Sequence, residues 1–366
     1  MDWRGVRVLV TGHTGFKGAW LCEWLLQAGA RVYGIALPPD GPEALFTALR
    51  QDERLDHTVC DIREPAVLTA AVLRADPEVI LHLAAQALVR RSYREPLLTW
   101  QTNVDGTLNV LAAAGVLARP VTVVVVTTDK VYRNRDWEYA YREEDELGGH
   151  DPYSASKAAC EIAVASWRAS FGSDDGVTVV TARAGNVLGA GDTSEDRIIP
   201  DCFRAWRVDR TVEIRHPEST RPWQHVLEPL SGYLALAGHV RACGGAIQSC
   251  NFGPGTDGDR TVEMLLRALA ALDPARRWTK TEDAGPHEAR ALSLSIDRAR
   301  YRLGWTPRMS FEEAVSWTND GYIVARGALA KLVDRQLAAF QARRPVTTLS
   351  GAVGVPSFHT KRVDHG

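Results

Sequence analysis

The sequence has no charge excess that would suit a nucleic-acid partner. Its 366 residues include 43 lysines and arginines against 45 aspartates and glutamates, a formal net charge of −2, whereas nucleic-acid-binding domains carry strongly basic patches. No run approaches the ~18 consecutive apolar residues of a transmembrane helix. The amino terminus lacks the apolar stretch and small-residue cleavage site of a secretory signal. We therefore expect a cytoplasmic protein that binds neither nucleic acid nor membrane.

Cysteine is also scarce and carries no motif. The six cysteines, at positions 22, 60, 160, 202, 243 and 250, form no Cys-x-x-Cys pair. Such spacing in a reducing compartment is typical of buried thiols rather than of disulfides or metal ligands, so we predict no metal site. Apolar residues, by contrast, make up 45% of the chain and suffice for a large core.

The first 190 residues alternate between strand and helix patterns. Short runs rich in valine and isoleucine predict strands at 6–10, 31–37, 57–61, 79–83, 121–127 and 177–182. Helical spacing of apolar residues predicts helices that include 19–27, 97–114 and 153–171. Such alternation is typical of βαβ units. We therefore predict an α/β fold with a Rossmann-like, doubly wound parallel sheet.

Three glycines lie at the turn between the first strand and the first helix. Gly12, Gly15 and Gly18 form Gly-x-x-Gly-x-x-Gly. The first glycine permits a tight turn, the second lets a pyrophosphate approach the backbone, and the third lets the helix pack on the strand. The helix N-terminus adds partial positive charge. This context predicts a dinucleotide-binding site, with a plain glycine-rich turn as the alternative.

The end of the second strand favours NAD only by elimination. Residues 34–38 contain neither the acid that holds the NAD ribose nor an arginine for the extra phosphate of NADP. We expect His13 and Lys17 to reach the adenosine ribose instead. Asp61 and Ile62, after the third strand, are a candidate adenine contact, and a helix N-cap is the alternative for Asp61. We predict NAD as the cofactor and keep NADP as the alternative.

The sequence also predicts how the chain divides into domains. Residues 1–190 are predicted to form an NAD-binding Rossmann domain, to which some later segments return. Beyond 190 the pattern changes to short strands and helices between loops that contain proline, arginine and histidine. We predict a smaller mixed α/β substrate-binding lobe over 191–325. Residues 341–366 lose periodicity and are expected to form a loosely ordered tail.

A tyrosine and a lysine follow the predicted fifth strand. Tyr153 and Lys157 are four residues apart and share one face of a predicted helix. A nearby ammonium favours the phenolate, so the spacing predicts a lowered pKa for Tyr153. A phenolate can remove a hydroxyl proton during hydride transfer. Together with the glycine loop, the pair predicts a catalytic site, and a surface ion-pair spacing is the alternative.

These motifs resemble the extended short-chain dehydrogenase/reductase family over about residues 5–322. Longer strings within that range resemble one branch of it, the CDP-glucose 4,6-dehydratases. They are 11–18 (TGHTGFKG), 86–90 (QALVR), 128–132 (TDKVY), 151–157 (DPYSASK), 185–187 (GNV), 195–201 (EDRIIPD) and 221–230 (RPWQHVLEPL). Other sugar-nucleotide dehydratases usually have Asp-Glu where this chain has Asp129-Lys130, and epimerases lack such an acid/base pair.

The chain also departs from that pattern at three places. Thr193 stands where tryptophan is expected, Ala87 stands where proline is usual, and residues 293–297 (SLSID) replace a more usual Leu-Asp pattern. These changes leave open which sugar nucleotide is accepted. A dehydratase or epimerase of another nucleotide sugar or of a heptose, and a catalytically silent NAD-binding homologue, therefore stay as alternatives.

The resemblance implies a lyase that converts CDP-glucose to CDP-4-keto-6-deoxyglucose by internal hydride transfer through bound NAD. It implies that Tyr153 takes the 4-OH proton beside Lys157 and that Thr128 orients the sugar. It also implies that Lys130 removes the C5 proton while Asp129 protonates the departing 6-OH. A salt bridge within a loop is the alternative for the last two residues.

The resemblance further implies which residues contact cofactor and substrate. The cofactor contacts are Gly12, His13, Gly15, Phe16, Lys17, Gly18, Asp61, Ile62, Leu83, Ala84, Ala85, Gln86, Asn103, Thr127, Tyr153 and Lys157. The substrate contacts are Arg90, Asn186, Arg197, Arg221 and His287, in which arginine suits a diphosphate because its fork binds two oxygens. Trp223 and Trp305 are expected in the core. The long helices at 97–114 and 153–171 imply a homodimer or a dimer of dimers.

Overall fold

The computed structural model describes residues 2–172, 176–255, 259–281 and 291–343. A sheet of seven strands, all parallel, forms its centre. The strands are β1 (Arg7–Thr11), β2 (Arg31–Ala36), β3 (Asp56–Val59), β4 (Val79–His82), β5 (Val121–Val126), β6 (Val177–Ala184) and, numbered in chain order, β11 (Ser249–Phe252). Their order across the sheet is β11-β6-β5-β4-β1-β2-β3. The predicted doubly wound parallel sheet is confirmed, with β11 as an addition.

Strand side chains alternate between two apolar cores, one on each face of the sheet. Val8, Val10 and Val124 lie in one core, and Leu9, Ile80 and Val123 lie in the other. The first core is covered by α1 (Phe16–Gln27) and α9 (Leu227–Cys243); the second is covered by α3 (Pro65–Ala75), α6 (Gly106–Gly115) and α7 (Pro152–Phe171). This two-sided burial explains why the central strands are largely continuous apolar runs.

The long helix predicted at 97–114 contains an irregular turn. It begins as α5 (Pro96–Trp100), passes through a π-helical turn at Gln101–Asp105, and continues as α6. Such a turn adds one residue to the helix and is often found at functional sites. Here it holds Asn103, which is buried. Two short helices precede α5 in the sequence: α2 (Leu45–Ala48) and α4 (Val89–Arg94).

A smaller lobe packs beside the carboxyl ends of the strands. Its helices are α8 (Ile198–Trp206), α10 (Val262–Leu272) and α12 (Phe311–Ile323). Its strands are β8 (Val212–Ile214), β9 (Thr220–Pro222), β12 (Asp259–Thr261) and β13 (Trp278–Lys280), and a short parallel pair joins β7 (Val187–Leu188) to β10 (Gln224–His225). Phe203, Leu265 and Phe311 form the centre of its core.

Several segments beyond residue 190 pack on the large sheet rather than in this lobe. They are β11, α9, α11 (Asp297–Leu303) and α13 (Leu329–Ala342). The ring of Phe340 at the end of α13 lies 5.7 Å from that of Trp24 on α1. The domain boundaries stay a prediction. Of the predicted tail, 341–342 complete α13, and 344–366 lie outside the described residues.

Two further sequence expectations concern the cysteines and membrane. Five of the six cysteines are buried thiols, and Cys243 is exposed. In the part of the chain that the structure describes, no helix is both long and apolar enough to cross a bilayer.

Candidate active site

The candidate site is a cavity of about 900 Å³ at the carboxyl ends of the central strands, between the sheet and the smaller lobe. Ligands bind at this edge in open α/β sheets, where neighbouring loops diverge. Lys17, Thr128, Asp129, Lys130, Tyr153 and Arg221 all contribute to its wall. The structure therefore brings all but one of the residues implied for catalysis to one wall, and Lys157 lies one turn below Tyr153 on α7.

The glycine loop is shaped by contacts that leave no room for side chains. Gly12 has φ +73°, and a Cβ there would lie 2.7 Å from the backbone nitrogen of Ala84. A Cβ on Gly18 would lie 2.1 Å from the carbonyl oxygen of Gly12. Gly15 meets no such obstacle, and no side chain caps the first turn of α1 behind it. The exposed backbone of this turn fits a pyrophosphate.

His13 is buried beneath the end of β2. Its ring lies 5.2 Å from that of Phe46 and 5.3 Å from that of His57. A Cβ on Gly34 would lie 2.5 Å from Cγ of His13, so the imidazole fills the space that a side chain on β2 would take. Burial, with the nearby His57, lowers the pKa of His13 to about 4. The ring is therefore neutral near pH 7, and its nitrogens have no hydrogen-bond partner among the described residues.

Lys17, on the first turn of α1, directs its side chain into the catalytic cavity. Its Nζ donates to Oη of Tyr233 at 3.5 Å and lines the catalytic cavity. Burial and then the charge of Arg197 lower its pKa to about 8, while Asp129 acts in the opposite direction. The expectation that Lys17 reaches the ribose stays a prediction, and in this structure its side chain contacts Tyr233 at the catalytic cavity instead.

Residues 83–86, which follow β4, are held by an internal polar network. The backbone nitrogen of Gln86 donates to Oδ1 of Asn103 at 2.9 Å. The Asn103 amide donates to Oγ of Ser156 at 2.8 Å and to the carbonyl of Gln86 at 3.1 Å. The backbone nitrogens of Leu83 and Ala84 both donate to Oγ1 of Thr11. The side chain of Asn103 is thus engaged within the protein and fixes residues 83–86, which border the glycine loop.

Asp61 is paired with an arginine next to it. Its carboxylate accepts from Nε and from an Nη of Arg63, the latter at 2.6 Å, and this pairing lowers the pKa of Asp61. The N-cap of α3 is Glu64, so the alternative role of Asp61 as that cap is wrong. Ile62 is buried, and a Cβ on Gly106 would lie 2.5 Å from its Cδ1.

Asp129 is a buried carboxyl with one engaged and one free oxygen. Oγ1 of Thr128 donates to its Oδ1 at 2.8 Å. Its Oδ2 has no partner among the described residues, and a Cβ on Gly185 would lie only 2.9 Å from it. Burial raises the pKa of Asp129, opposed by the charge of Lys130 and by the Thr128 hydrogen bond. This environment favours a protonated acid.

Tyr153 and Lys157 are both buried on α7. Burial raises the pKa of Tyr153 to about 12, and the groups that act against it are the side chains of Thr128 and Arg197. Nζ of Lys157 donates to the carbonyl oxygen of Val126 at 3.1 Å, and burial lowers its pKa. The predicted lowering of the tyrosine pKa by Lys157 is therefore wrong for this structure, because desolvation outweighs neighbouring charge.

The hydroxyl of Thr127, a residue of the cavity wall, is engaged by α7. Its hydroxyl donates to Glu161 at 2.5 Å, and Glu161 forms a buried ion pair with Arg183 at 2.9 Å. Oγ1 of Thr181 also donates to Glu161 at 2.7 Å. This network joins α7 to the ends of β5 and β6 and fixes the backbone on which Thr128 and Asp129 stand.

Two of the arginines expected at the diphosphate end lie in the cavity wall, each opposite an acid. Arg90 on α4 pairs with Asp196 at 3.1 Å, and Arg197 pairs with Asp192 at 3.2 Å. The first pair joins the Rossmann part of the chain to the smaller lobe. Both arginines are partly exposed, so their charges can be shared with a bound anion.

The remaining substrate candidates have different positions. Arg221 on β9 is buried in the cavity wall and donates to the carbonyl oxygen of Thr220 at 2.8 Å. Asn186 also lines the cavity. His287 lies outside the described residues. Trp223 and Trp305 are buried as expected, although Trp223 also borders the cavity.

Some residues of the site were not predicted. Tyr233 is fully buried on α9 and partners Lys17, and Asp192 and Asp196 are the acids opposite the arginines. Asp196 lies within a string already noted for its resemblance, and that string could have indicated it. Nothing in the spacing along α9 distinguishes Tyr233 from a core residue.

Comparisons with known proteins agree with this arrangement. The model of the family described as GDP-mannose 4,6 dehydratase matches residues 9–318. The chain is 41% identical over 321 residues to the CDP-glucose 4,6-dehydratase of Salmonella typhimurium, which covers 86% of this chain and 89% of that protein. It is 28% identical over 316 residues to the UDP-glucose 4-epimerase of Mycolicibacterium smegmatis, covering 86% and 97% of the two chains.

A solved structure shows the same fold. The structure described as MoeE5 in complex with UDP-glucuronic acid and NAD matches with a TM-score of 0.72 and 25% identity, over 86% of this chain and 98% of that one. The chain belongs to the GDP-mannose 4,6-dehydratase family. The resemblance to CDP-glucose 4,6-dehydratases drawn from the sequence strings is thereby confirmed.

Proposed function

We propose that this protein is an NAD-dependent lyase that converts CDP-glucose to CDP-4-keto-6-deoxyglucose. The observation that carries the proposal is the Asp129-Lys130 pair after β5, in one cavity with Thr128 and Tyr153. Its 41% identity to a CDP-glucose 4,6-dehydratase supports the same reaction. The reaction oxidises C4, eliminates water across C5 and C6, and reduces C6, so no external oxidant or reductant is consumed.

The glycine loop and the neutral histidine below it suit NAD. The open first turn of α1 would hold the pyrophosphate, and residues 83–86 would border the rest of the cofactor. His13 is uncharged near pH 7, so it offers no cation to the extra phosphate of NADP. A bound NAD⁺ would supply the hydride chemistry between C4 and C6, and its positive charge would favour the Tyr153 phenolate.

The acid and base residues have separate tasks in this proposal. Tyr153, ionised, takes the proton of the 4-OH as C4 is oxidised. The resulting ketone acidifies the C5 hydrogen, which Lys130 removes. Asp129 gives its proton to the departing 6-OH, and its burial favours the protonated form that this step needs. Lys130 then returns a proton to C5.

The cations of the smaller lobe suit the nucleotide diphosphate. Arg197 and Arg221 approach from the lobe, and Arg90 approaches from α4. A bound diphosphate would replace the present partners of these arginines, which are acids for Arg90 and Arg197 and a carbonyl oxygen for Arg221. Its oxygens would accept paired N–H groups from the guanidinium groups. Asn186 lines the same cavity and would serve as a neutral donor, and His287 stays a prediction from the resemblance.

We propose a homodimer or dimer of dimers as the assembly. Helices α5 and α7 pack on each other, and apolar side chains on them face outward: Leu97 is 77% exposed and Ile162 is 59% exposed. Exposed apolar side chains of neighbouring helices favour a contact with a second copy. The cytoplasmic location stays a prediction from the sequence.

The experiment that tests the function is incubation of the purified protein with CDP-glucose, and with the ADP-, GDP-, UDP- and dTDP-glucoses, under mass spectrometry. We expect loss of one water from CDP-glucose, with many turnovers per NAD added. Product formed only in proportion to added NAD⁺ would indicate a simple dehydrogenase. Loss of water from another nucleotide sugar alone would reassign the substrate and leave the chemistry in place.

A further inference from the structure

Two arginines on α4 and two acids of the loop before α8 form a cluster of ion pairs at the edge of the candidate site. Arg90 and Arg94 share one face of α4, because residues at this spacing are neighbours on a helix. Glu195 and Asp196 follow one another in the loop. These four side chains, the clasp, join the Rossmann part of the chain to the smaller lobe.

The carboxylate of Asp196 is shared between both arginines of the clasp. Nη1 of Arg90 donates to its Oδ1 at 3.1 Å, and Nη1 of Arg94 lies 3.5 Å from its Oδ2. Nη2 of Arg94 also donates to Oε1 of Glu195 at 2.9 Å. Asp196 thus directs one oxygen to each arginine and can keep one of them when the other is taken.

The exposed fractions of the two acids decide which of them can lose a partner at the smaller cost. The side chain of Glu195 is 63% exposed, whereas that of Asp196 is 21% exposed. Water therefore solvates Glu195 well when Arg94 leaves it. A mostly buried carboxylate loses more when it has no cation beside it. A rearrangement that gives Arg94 to Asp196 and leaves Glu195 to water is therefore the less costly one.

Only part of the clasp reaches the substrate cavity. Arg90 and Asp196 lie in the cavity wall, and Arg94 lies outside that wall. A diphosphate that binds Arg90 competes with Asp196 for the same guanidinium group. Arg94 therefore influences binding through Asp196 rather than by touching the ligand. This inference rests on the proposed function, because the competing ligand is the diphosphate of a nucleotide sugar.

We propose that Arg94 is a positioning residue for substrate binding, which takes over the carboxylate of Asp196 when the diphosphate takes Arg90. The exchange moves Asp196 from one arginine to the next on the same face of α4. An ion pair between α4 and the loop is kept throughout, so the smaller lobe stays attached beside the bound substrate. Arg90 is released to the diphosphate without leaving a mostly buried carboxylate unpaired.

Removal of Arg94 should weaken the binding of a nucleoside diphosphate. Arg94→Gln leaves Asp196 with Arg90 as its partner in the clasp, so the carboxylate competes more strongly with the ligand. The dissociation constant for CDP should rise by about 2- to 5-fold, the range that one partly exposed ion pair supplies. KM for CDP-glucose should rise by the same factor while kcat stays close to wild type. Calorimetric titration with CDP at one fixed, low ionic strength and steady-state kinetics measure these constants.

Removal of the competing acid should reverse the effect. Asp196 has φ +56°, a conformation that asparagine also adopts, so Asp196→Asn suits the loop backbone. Arg94→Gln combined with Asp196→Asn should bind CDP at least as tightly as wild type, because no carboxylate then competes for Arg90. Arg94→Gln combined with Glu195→Gln has the same net charge but keeps the competitor. Its dissociation constant should stay raised.

Arg91→Gln is the matched control for the loss of charge on α4. Arg91 is 43% exposed and pairs with Glu95 at 3.0 Å, so this variant leaves the clasp intact. It should bind CDP like wild type. Equal weakening in Arg91→Gln and Arg94→Gln, or equal recovery in the two double variants, would show that only net charge matters and would overturn the proposal.

Thermal unfolding verifies that each variant is folded. If Arg94→Gln is not, Asp196→Asn alone carries the test. It should bind CDP more tightly than Glu195→Gln, which removes the same charge from the same loop, and equal or weaker binding overturns the proposal. A wild-type protein that shows the expected CDP pattern but removes water from no nucleotide sugar overturns the proposed function and supports the role of Arg94. A wild-type protein that binds no nucleoside diphosphate overturns both.

Discussion

Asp129, Lys130 and Tyr153 have separate tasks that single substitutions can divide. In Lys130→Ala, C4 oxidation should still occur, because Tyr153 and the cofactor loop are intact. The reaction should then stall before water is lost, with exchange of the C5 hydrogen slower by ~10²–10⁴-fold. Absorbance of the reduced cofactor and deuterium incorporation at C5 in D₂O measure the two steps. Exchange at the wild-type rate would show that Lys130 is not the base.

Two companion variants serve as controls for that result. Tyr153→Phe should show neither cofactor reduction nor C5 exchange, because the first step is blocked. Asp129→Asn should still exchange C5 while losing water more slowly, because an amide cannot protonate the leaving hydroxyl. Identical behaviour of all three variants would contradict the division of tasks.

Glu228 on α9 gives a prediction about stability rather than activity. Its Oε1 accepts from the backbone nitrogens of Arg308 and Met309, both at 2.7 Å, and burial raises its pKa from 4.5 to about 7. Above pH 4.5 the Glu228 carboxyl ionises in the unfolded state but stays largely protonated in the folded state. The wild-type protein therefore loses stability as the pH rises to about 7. Below pH 4.5 both states are protonated and the effect vanishes.

Glu228→Gln keeps the acceptor oxygen and removes the titration. The free energy of unfolding of this variant relative to wild type should rise between pH 4.5 and 7 by up to about 3 kcal/mol and then level off. Urea unfolding of both proteins across this pH range measures it. A difference that is constant with pH would show that the carboxyl titrates normally.

At the residue scale, the sequence predicted which residues carry the chemistry better than it predicted the surroundings of those residues. The identities of Asp129 and Tyr153 follow from motifs, because the reaction needs those groups. The direction of the Tyr153 pKa shift does not follow from the motif, because burial outweighs charge here and residue spacing contains no information on burial. The contact of Lys17 with Tyr233 does not follow from the motif either, since a loop motif does not specify where a long side chain extends.

At the scale of elements, the three glycines of the loop should respond differently to alanine. A Cβ on Gly18 would meet backbone at 2.1 Å, so Gly18→Ala should destabilise the fold by about 1–3 kcal/mol. A Cβ on Gly15 meets nothing closer than 3.4 Å. Gly15→Ala should therefore melt like wild type but bind NAD more weakly, because its methyl group occupies space beside the pyrophosphate. Thermal unfolding and calorimetric NAD titration separate the two effects, and equal losses of stability would contradict them.

The elements themselves were predictable where their patterns were long. The central strands were found because they are buried on both faces and read as apolar runs; β3, at the edge of the sheet, is a less apolar strand, and its Val59 is 55% exposed. β11 was missed because it is short and has Ser249 and Asn251 at alternate positions. The side chain of Asn251 accepts from the Tyr132 hydroxyl at 2.7 Å and donates to the carbonyl oxygen of Tyr141 at 3.0 Å. Only the tertiary partners make a polar residue acceptable there.

At the scale of the whole molecule, the exposed apolar face of α5 and α7 predicts how the assembly can be disrupted. Leu97→Asp combined with Ile162→Asp should convert the oligomer to a monomer, because two charges would be buried in the contact. Tyr301, 82% exposed on α11, provides a matched control, and Tyr301→Asp should leave the assembly intact. Sedimentation velocity at micromolar concentration distinguishes these outcomes. A wild-type protein that sediments only as a monomer would contradict the proposed assembly.

The position of β11 has a consequence for how the chain folds as it leaves the ribosome. β6 ends at residue 184, but β11, its neighbour, begins at residue 249. Until the intervening chain has been synthesised, β6 presents an open strand edge, and such edges pair with other chains. A fragment that ends at residue 190 should therefore aggregate where the full chain does not, and light scattering of the two at equal concentration tests this. The strand that protects the nucleotide-binding sheet from self-association is thus available only once the chain has been synthesised past residue 252.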